Sequence, residues 1–195
     1  MEIDPTTLDG TLYRTLAAGV IPRPIAWVST HSEAGVDNLA PYSFFNVVSV
    51  EPPTIMFAPV DRGDDLKDTP KNILDTEEFV VNVVTEEFVE QMNQSSATLP
   101  HGESEFDHAG LERAPSTKVA PPRVAGVKVA YECRLADFVD VGASSMVLGE
   151  VVNVHVADEA TTAGKLDVEK LDAVGRLSGN WYAKTSDRYA LERPK

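Results

Sequence analysis

Apolar and polar residues alternate over short runs along much of this chain, and the runs are rich in β-branched and aromatic residues. Strand-like segments occupy 25–30, 42–50, 54–60 and 79–84, with Pro and Gly recurring at short intervals between them. Two later segments show the clearest period of two. Val127, Val129, Tyr131, Cys133 and Leu135 alternate with Lys128, Ala130, Glu132 and Arg134, which predicts a half-buried strand. Val152, Val154 and Val156 fall on one face of a similar run over 146–157.

Three stretches carry helical spacing instead. Thr69-Pro70 reads as an N-cap followed by proline at the first helical position, leading into Lys71-Asn-Ile-Leu-Asp75. Thr85-Glu-Glu-Phe-Val-Glu-Gln-Met92 places acids in its first turn, where they complement the helix dipole, and aligns Phe88, Val89 and Met92 along one side. A third helix is predicted over 167–177, burying Leu171 and Val174. Residues 95–122 read as a long loop excursion, a kind of segment that is often functional. Evenly spaced strands with few helices favour a barrel or sandwich over a doubly wound sheet. No repeat or flexible linker divides the 195 residues, so one domain spanning 1–195 is expected.

The formal net charge of −14 narrows the partners. Nucleic acid and anionic membranes both require a positive surface, so neither is expected, and a phosphate-bearing ligand needs a locally arranged site. The scattered acids fit either adaptation to high intracellular salt or an ordinary acidic protein. Cys133 is the only cysteine, so no intramolecular disulfide can form. No run approaches the roughly 20 apolar residues of a membrane span, and the N-terminal Met-Glu-Ile-Asp-Pro is acidic where a secretory leader is basic. A cytoplasmic protein is expected.

Common catalytic signatures are absent. The chain has no G-x-G-x-x-G after a strand, no phosphate-loop lysine motif, no H-E-x-x-H and no C-x-x-C pair. Gly175-Arg-Leu-Ser-Gly179 superficially resembles a nucleophile elbow, but its serine comes one position too late. Of the four histidines, His31, His101, His108 and His155, none is paired at a ligand spacing on an element. His101 and His108 flank Gly-Glu-Ser-Glu-Phe-Asp, which reads as a solvated loop more readily than as a cation site, so no metal is expected.

Two segments suggest a ligand. Arg23-Pro-Ile-Ala-Trp-Val-Ser-Thr30 is followed, after a turn at Gly35, by Asn38-Leu-Ala-Pro-Tyr-Ser-Phe-Phe-Asn46. Hydroxyl and amide side chains there stand beside Ala, Pro and aromatics, a mixture that suits a flat polar heterocycle and equally suits two core strands with incidental polar residues. Lys67-Asp-Thr-Pro-Lys-Asn72 adds lysines, a threonine hydroxyl and the free N–H groups of a helix start, a competent one-phosphate receptor. Heterocycle platform and single phosphate together describe a mononucleotide cofactor.

These motifs, with Pro52-Pro53 ahead of a strand, Ser104-Glu-Phe-Asp-His-Ala-Gly-Leu111, the strand bearing Glu132-Cys133, Leu148-Gly-Glu-Val151 and Gly175-Arg-Leu-Ser-Gly-Asn-Trp-Tyr182, resemble in order and coverage the flavin-reductase-like FMN-binding split-barrel family, in particular its flavoredoxin-like branch. The resemblance implies a mainly β, six-stranded Greek-key split barrel with a few short peripheral helices. It implies FMN held noncovalently near the interface of a homodimer, NADH or NADPH as electron donor, and a small molecule or redox protein as acceptor. Carried over position by position, Ser29 and Thr30 would contact flavin, Ala40, Pro41, Tyr42 and Ser43 would line the isoalloxazine and ribityl chain, and Asn38 and Asn46 would sit close by. Lys67, Asp68, Thr69 and Asn72 would form the phosphate side, with Arg176 and Tyr182 approaching from the C-terminal motif. No side chain need act as acid or base, because hydride passes directly from nicotinamide to flavin, so no catalytic residue is assigned.

One departure bears on activity. Flavin reductases that supply two-component monooxygenases commonly carry Gly-Asp-His where this chain has Gly142-Ala143-Ser144. The missing histidine favours a flavoredoxin-type carrier that keeps its FMN and passes electrons onward, as the alternative to an NAD(P)H-dependent flavin reductase.

Overall fold

The structure, a computed structural model, describes residues 2–60, 66–100 and 102–194. Its centre is one antiparallel sheet of seven strands: β1 (Ala26–His31), β2 (Asp37–Tyr42), β3 (Phe45–Val50), β4 (Pro53–Phe57), β5 (Glu78–Val83), β6 (Val129–Val141) and β7 (Ser144–Val156). They lie in the order β2-β1-β5-β6-β7-β4-β3, so the hairpins β1–β2 and β3–β4 form the two ends and the later strands fill the space between them. Seven strands stand where six are expected because residues Asp37–Tyr42 pair as a strand of their own ahead of the run 42–50, separated from it at Ser43-Phe44. Tyr42 closes β2 and Phe45 opens β3.

The sheet is rolled. β2 and β4 are five places apart in the order, roughly 24 Å in a flat sheet, yet the rings of Tyr42 and Phe57 lie 5.0 Å apart. Phe57 and Phe79, three places apart, meet edge to face at 5.7 Å. Ala26, Val28, Ile55, Phe57, Phe79, Val81, Cys133 and Val147 form one interior cluster from five strands. Two bulges in the β6–β7 register, between Glu132 and Cys133 and between Leu135 and Asp137, let the long ribbon bend across the barrel. The mainly β, split-barrel architecture expected from the resemblance is the one observed.

A second cluster lies on the opposite face of β1 and β5. Trp27, Leu39, Val80 and Ala130 are covered there by Met92 of α3 (Val89–Gln94), by Phe106 of α4 (Glu105–His108), and by Val119 and Val124. Because both faces of these strands are buried, their sequence is apolar throughout rather than alternating. Apart from Met92 and Val124 the cover comes from the segment predicted as a long loop, whose described residues hold α4 and Arg113–Ala114, the latter paired with Arg123–Val124. This cover also overturns the solvent-facing side expected for β6. Ala130 and Glu132 are fully buried beneath it.

The helices differ from their sequence signals in detail. α1 (Tyr13–Gly19) has no signal in the pattern. α2 runs Asp68–Thr76, with Lys67 rather than Thr69 at the N-cap position and no side-chain cap. Thr69 lies inside the first turn, its hydroxyl drawn away to tertiary partners. The helix predicted over 167–177 is a single turn, α5 (Val168–Leu171), capped by Asp167, whose side chain accepts from Glu169 N. Asp172 then adopts a left-handed φ of 53°, and Val174–Arg176 pairs with Tyr182–Lys184.

Candidate functional site

The β1–β2 hairpin turns at Ser32–Val36, where Ser32 N donates to Val36 O and Gly35 takes a φ of 85°. This places Thr30 opposite Asn38 in the register. α2 packs over that end of the hairpin, burying Ile73 in the interior cluster. Thr69 and Asn72 share the same helix face at i and i+3 and reach the strand pair. Thr69 Oγ1 donates to Asn38 Oδ1 at 2.6 Å, and Asn72 Nδ2 donates to Thr30 Oγ1 at 3.0 Å. Thr30 Oγ1 in turn donates to Asn38 Oδ1 at 3.4 Å. Four of the expected site residues, distant in sequence, thus form one buried polar network.

A fifth member has no separate place among the expected contacts. Glu105 Oε2 accepts from Asn38 Nδ2 at 2.8 Å and from Leu39 N at 2.9 Å, tying α4 to β2. Burial raises its carboxyl above the ordinary 4.5, against the lowering effect of those bonds. Asn38 and Asn72 also line a cleft of about 290 Å³ bounded by the hairpin turn, α2 and Gly102-Glu103. Its walls carry Glu33, Asp68, Asp75 and Glu103 against Lys71. Lys67 is exposed beside the helix start and Asp68 half-buried.

The remaining expected residues are distributed along β2 and beyond it. Ala40 and Pro41 are half-buried and Tyr42 is buried against Phe57. Ser43 Oγ accepts from Arg23 Nε at 3.3 Å. Arg23 is a further buried residue of this end, and its remaining donors go to the carbonyls of Ala17, Val20 and Leu177. The staple joins α1, the Ser43-Phe44 corner and the C-terminal ribbon. Arg176, whose backbone bridges Arg23, lies 4.5 Å over the ring of Tyr182, and Tyr182 OH donates to Asn93 Oδ1 at 3.2 Å.

From Asn38 to Ser43 is five residues, roughly 17 Å of extended strand. The Thr69 and Arg176 groups therefore occupy opposite ends of the hairpin, and an extended ligand lying along β2 is needed to touch both.

Ser29 lies apart from the Thr30 group. Strand alternation turns it to the face opposite Thr30, where Ser29 Oγ donates to Pro122 O at 2.5 Å and accepts from Asn82 Nδ2 at 3.3 Å. It holds the 95–122 cover and does not join the Thr30 network. Asn46 is exposed on β3, its Oδ1 accepting from Val47 N. His155 Nε2 pairs with buried Glu132. His101 lies outside the described residues, and among the described residues no cluster of His, Cys, Asp and Glu could hold a metal ion.

Arg23 and Glu105 both stood inside motifs that carry the family resemblance. Their signal was an ionisable residue beside apolar neighbours, which reads as surface until the fold buries it.

Comparison with known proteins agrees with this architecture. Residues 18–170 match the model of the flavin reductase like domain. Component B of nitrilotriacetate monooxygenase from Bacillus cereus superposes with a TM-score of 0.94 at 33% identity, over 98% of each chain. The 2-nitrobenzoate 2-nitroreductase of Pseudomonas fluorescens gives 0.90 at 34% identity, over 100% of this chain and 96% of that one. Flavoredoxin of Desulfovibrio vulgaris (Miyazaki F) shares the fold, with a TM-score of 0.78 at 20% identity over 88% of this chain and 91% of that one. By its fold, its motifs and these matches, the chain belongs to the flavin reductase like domain family.

Proposed function

We propose that this protein is an FMN-binding oxidoreductase that passes electrons from NADH or NADPH through the bound flavin to a second flavin, a ferric complex or another small acceptor. The observation that carries this reading is the convergence of Thr30, Asn38, Thr69 and Asn72 at one end of β2. From there the half-buried, apolar stretch Ala40-Pro41-Tyr42 leads towards Ser43. A phosphate at the α2 end would meet the N–H groups of the helix start, Lys67 and Lys71. A flat ring system further along β2 would lie against Ala40, Pro41 and Tyr42, with Ser43, Arg176 and Tyr182 at the far end. When bound, FMN supplies the electron-transfer chemistry, and the chain's own residues bind and orient it.

The protein acts in this reading as a cytoplasmic homodimer. Among the described residues no helix is long and apolar enough to cross a membrane. Val47, Val48 and Val50 are exposed along the edge strand β3, which supports pairing with a second copy there.

Protein loaded with FMN should be yellow, and NADH or NADPH added without oxygen should bleach it. Protein that takes up no FMN sinks the proposal. The second reading is a flavoredoxin-type carrier whose acceptor is a redox protein. It is favoured by Gly142-Ala143 at the exposed turn between β6 and β7, where no histidine is available. In that case pyridine nucleotides leave the colour unchanged and dithionite bleaches it. A nitroaromatic belongs among the acceptors tested, since one of the similar enzymes is named for reducing one.

Replacing Lys67 with alanine checks the phosphate end separately. FMN affinity should fall about fivefold while riboflavin affinity stays constant, because only FMN carries the charge that Lys67 attracts. Equal effects on both flavins would move the phosphate elsewhere.

A further inference from the structure

The amide of Asn38 is held between two unlike neighbours. Glu105 is a buried carboxylate and can only accept, so Asn38 must present Nδ2 to it, at 2.8 Å. Oδ1 is thereby turned to Thr69 Oγ1 at 2.6 Å. A carbonyl oxygen cannot donate, so the Thr69 proton lies in that bond. The Thr30 proton is committed to the same oxygen, while Thr30 accepts from Asn72 Nδ2. The Thr69 hydroxyl in the first turn of α2 and the Thr30 hydroxyl of β1, both buried, thus keep their protons inside the network, and a carboxylate stands one amide behind them. Both features oppose a phosphate, which needs donors and positive charge.

We propose that Glu105 is a positioning residue that sets how tightly this end of the site holds phosphate, acting through Asn38 and Thr69. The proposal rests on the FMN reading above. Lys67, Lys71 and the N–H groups of α2 attract the phosphate. The Glu105–Asn38 clamp withholds the Thr69 proton and leaves a negative charge nearby, so FMN is held less tightly than the lysines alone would hold it. Without the carboxylate, the Asn38 amide is free to turn. Nδ2 then donates to Thr69 Oγ1, and the Thr69 proton becomes available to a phosphate oxygen.

The test compares dissociation constants of FMN and riboflavin, read from flavin fluorescence, for the wild type and three variants. Glu105→Ala should raise the preference for FMN over riboflavin roughly tenfold, the worth of one hydrogen bond to a charged group. Adding Thr69→Val to Glu105→Ala should remove most of that gain. In Glu105→Gln one amide oxygen serves both Asn38 Nδ2 and Leu39 N, so the clamp is kept and only the charge is lost. Its preference should rise by less, roughly threefold.

A residue of purely structural importance would move both flavins together, and an unchanged or lowered ratio in Glu105→Ala overturns the proposal. If that variant does not fold, an unchanged ratio in Glu105→Gln overturns it. Wild-type protein that binds neither flavin overturns the FMN reading and this proposal with it. A wild type that binds both equally, with an alanine variant that prefers FMN, supports the clamp.

Discussion

Replacing Glu132 with alanine should lower stability by roughly 3–5 kcal/mol, the cost of removing a buried carboxylate that several donors share. Glu132 is fully buried and accepts from Thr117 N at 2.8 Å, Lys118 N at 2.6 Å and Asn153 Nδ2 at 3.2 Å, and it pairs with His155. Alanine leaves two backbone amides of the 95–122 cover without an acceptor and exposes the apolar face beneath. Burial by itself would raise the carboxyl. The bonds from His155, Thr117, Lys118 and Asn153 outweigh that effect and hold it at about 2, against an ordinary 4.5.

The folded value lies below the unfolded one, so this contribution is complete above 4.5 and is lost as pH falls from there towards about 2. Denaturant unfolding near neutral pH and in steps through the acid range checks both statements. The variant should start lower and lose less on acidification. A variant with the wild-type midpoint and the wild-type acid slope would show that Glu132 does not anchor the cover.

Gly149→Ala should cost about 3 kcal/mol, the upper part of the range for overpacking a closed core. A Cβ at this position would stand 2.2 Å from Phe79 Cζ and 3.2 Å from Cys133 Cβ. Neither neighbour can move freely: Phe79 is fully buried and meets Phe57 edge to face, and Cys133 is fully buried in the strand paired with β5. The glycine exists here to let the Phe79 ring lie directly on the β7 backbone. Thermal unfolding should shift down by roughly 10 °C for a chain of this size. Phe79→Leu, costly alone, should recover part of the loss when combined with Gly149→Ala, because the shorter side chain vacates the space the new methyl needs. Strictly additive losses would mean that the strain at Gly149 is relieved elsewhere.

Much of the strand content was legible because it depends on local chemistry. The runs 25–30, 54–60, 79–84 and 127–135 each overlap a strand of the sheet, with the ends displaced and β6 continuing to Val141, since β-branched and aromatic residues in short alternating or wholly apolar runs favour extended backbone wherever they are packed. The break at Ser43-Phe44 was not legible, because nothing in Tyr42-Ser-Phe-Phe-Asn46 differs in composition from a continuous strand. It depends on Arg23, which arrives from outside the segment to bond Ser43 and the carbonyl of Leu177. The predicted helix over 167–177 failed for a similar reason. Leu171 and Val174 have helical spacing, but Val174 is used by β pairing with Lys184.

Site residues divide in the same way. The sequence by itself determined that hydroxyls, amides and lysines recur in two motifs, Arg23-Pro-Ile-Ala-Trp-Val-Ser-Thr30 with its following Asn38 to Asn46 run and Lys67-Asp-Thr-Pro-Lys-Asn72, and through them the family. Only the tertiary structure decided which of these groups meet. Alternation along β1 sends Ser29 to the cover and Thr30 to Asn38, helical periodicity puts Thr69 and Asn72 on one face, and the length of β2 separates both from Arg176 and Tyr182. It also decided that Glu105 and Glu132 are buried. A carboxylate looks like surface in any sequence, and only long-range packing supplies the donors that allow it to be inside.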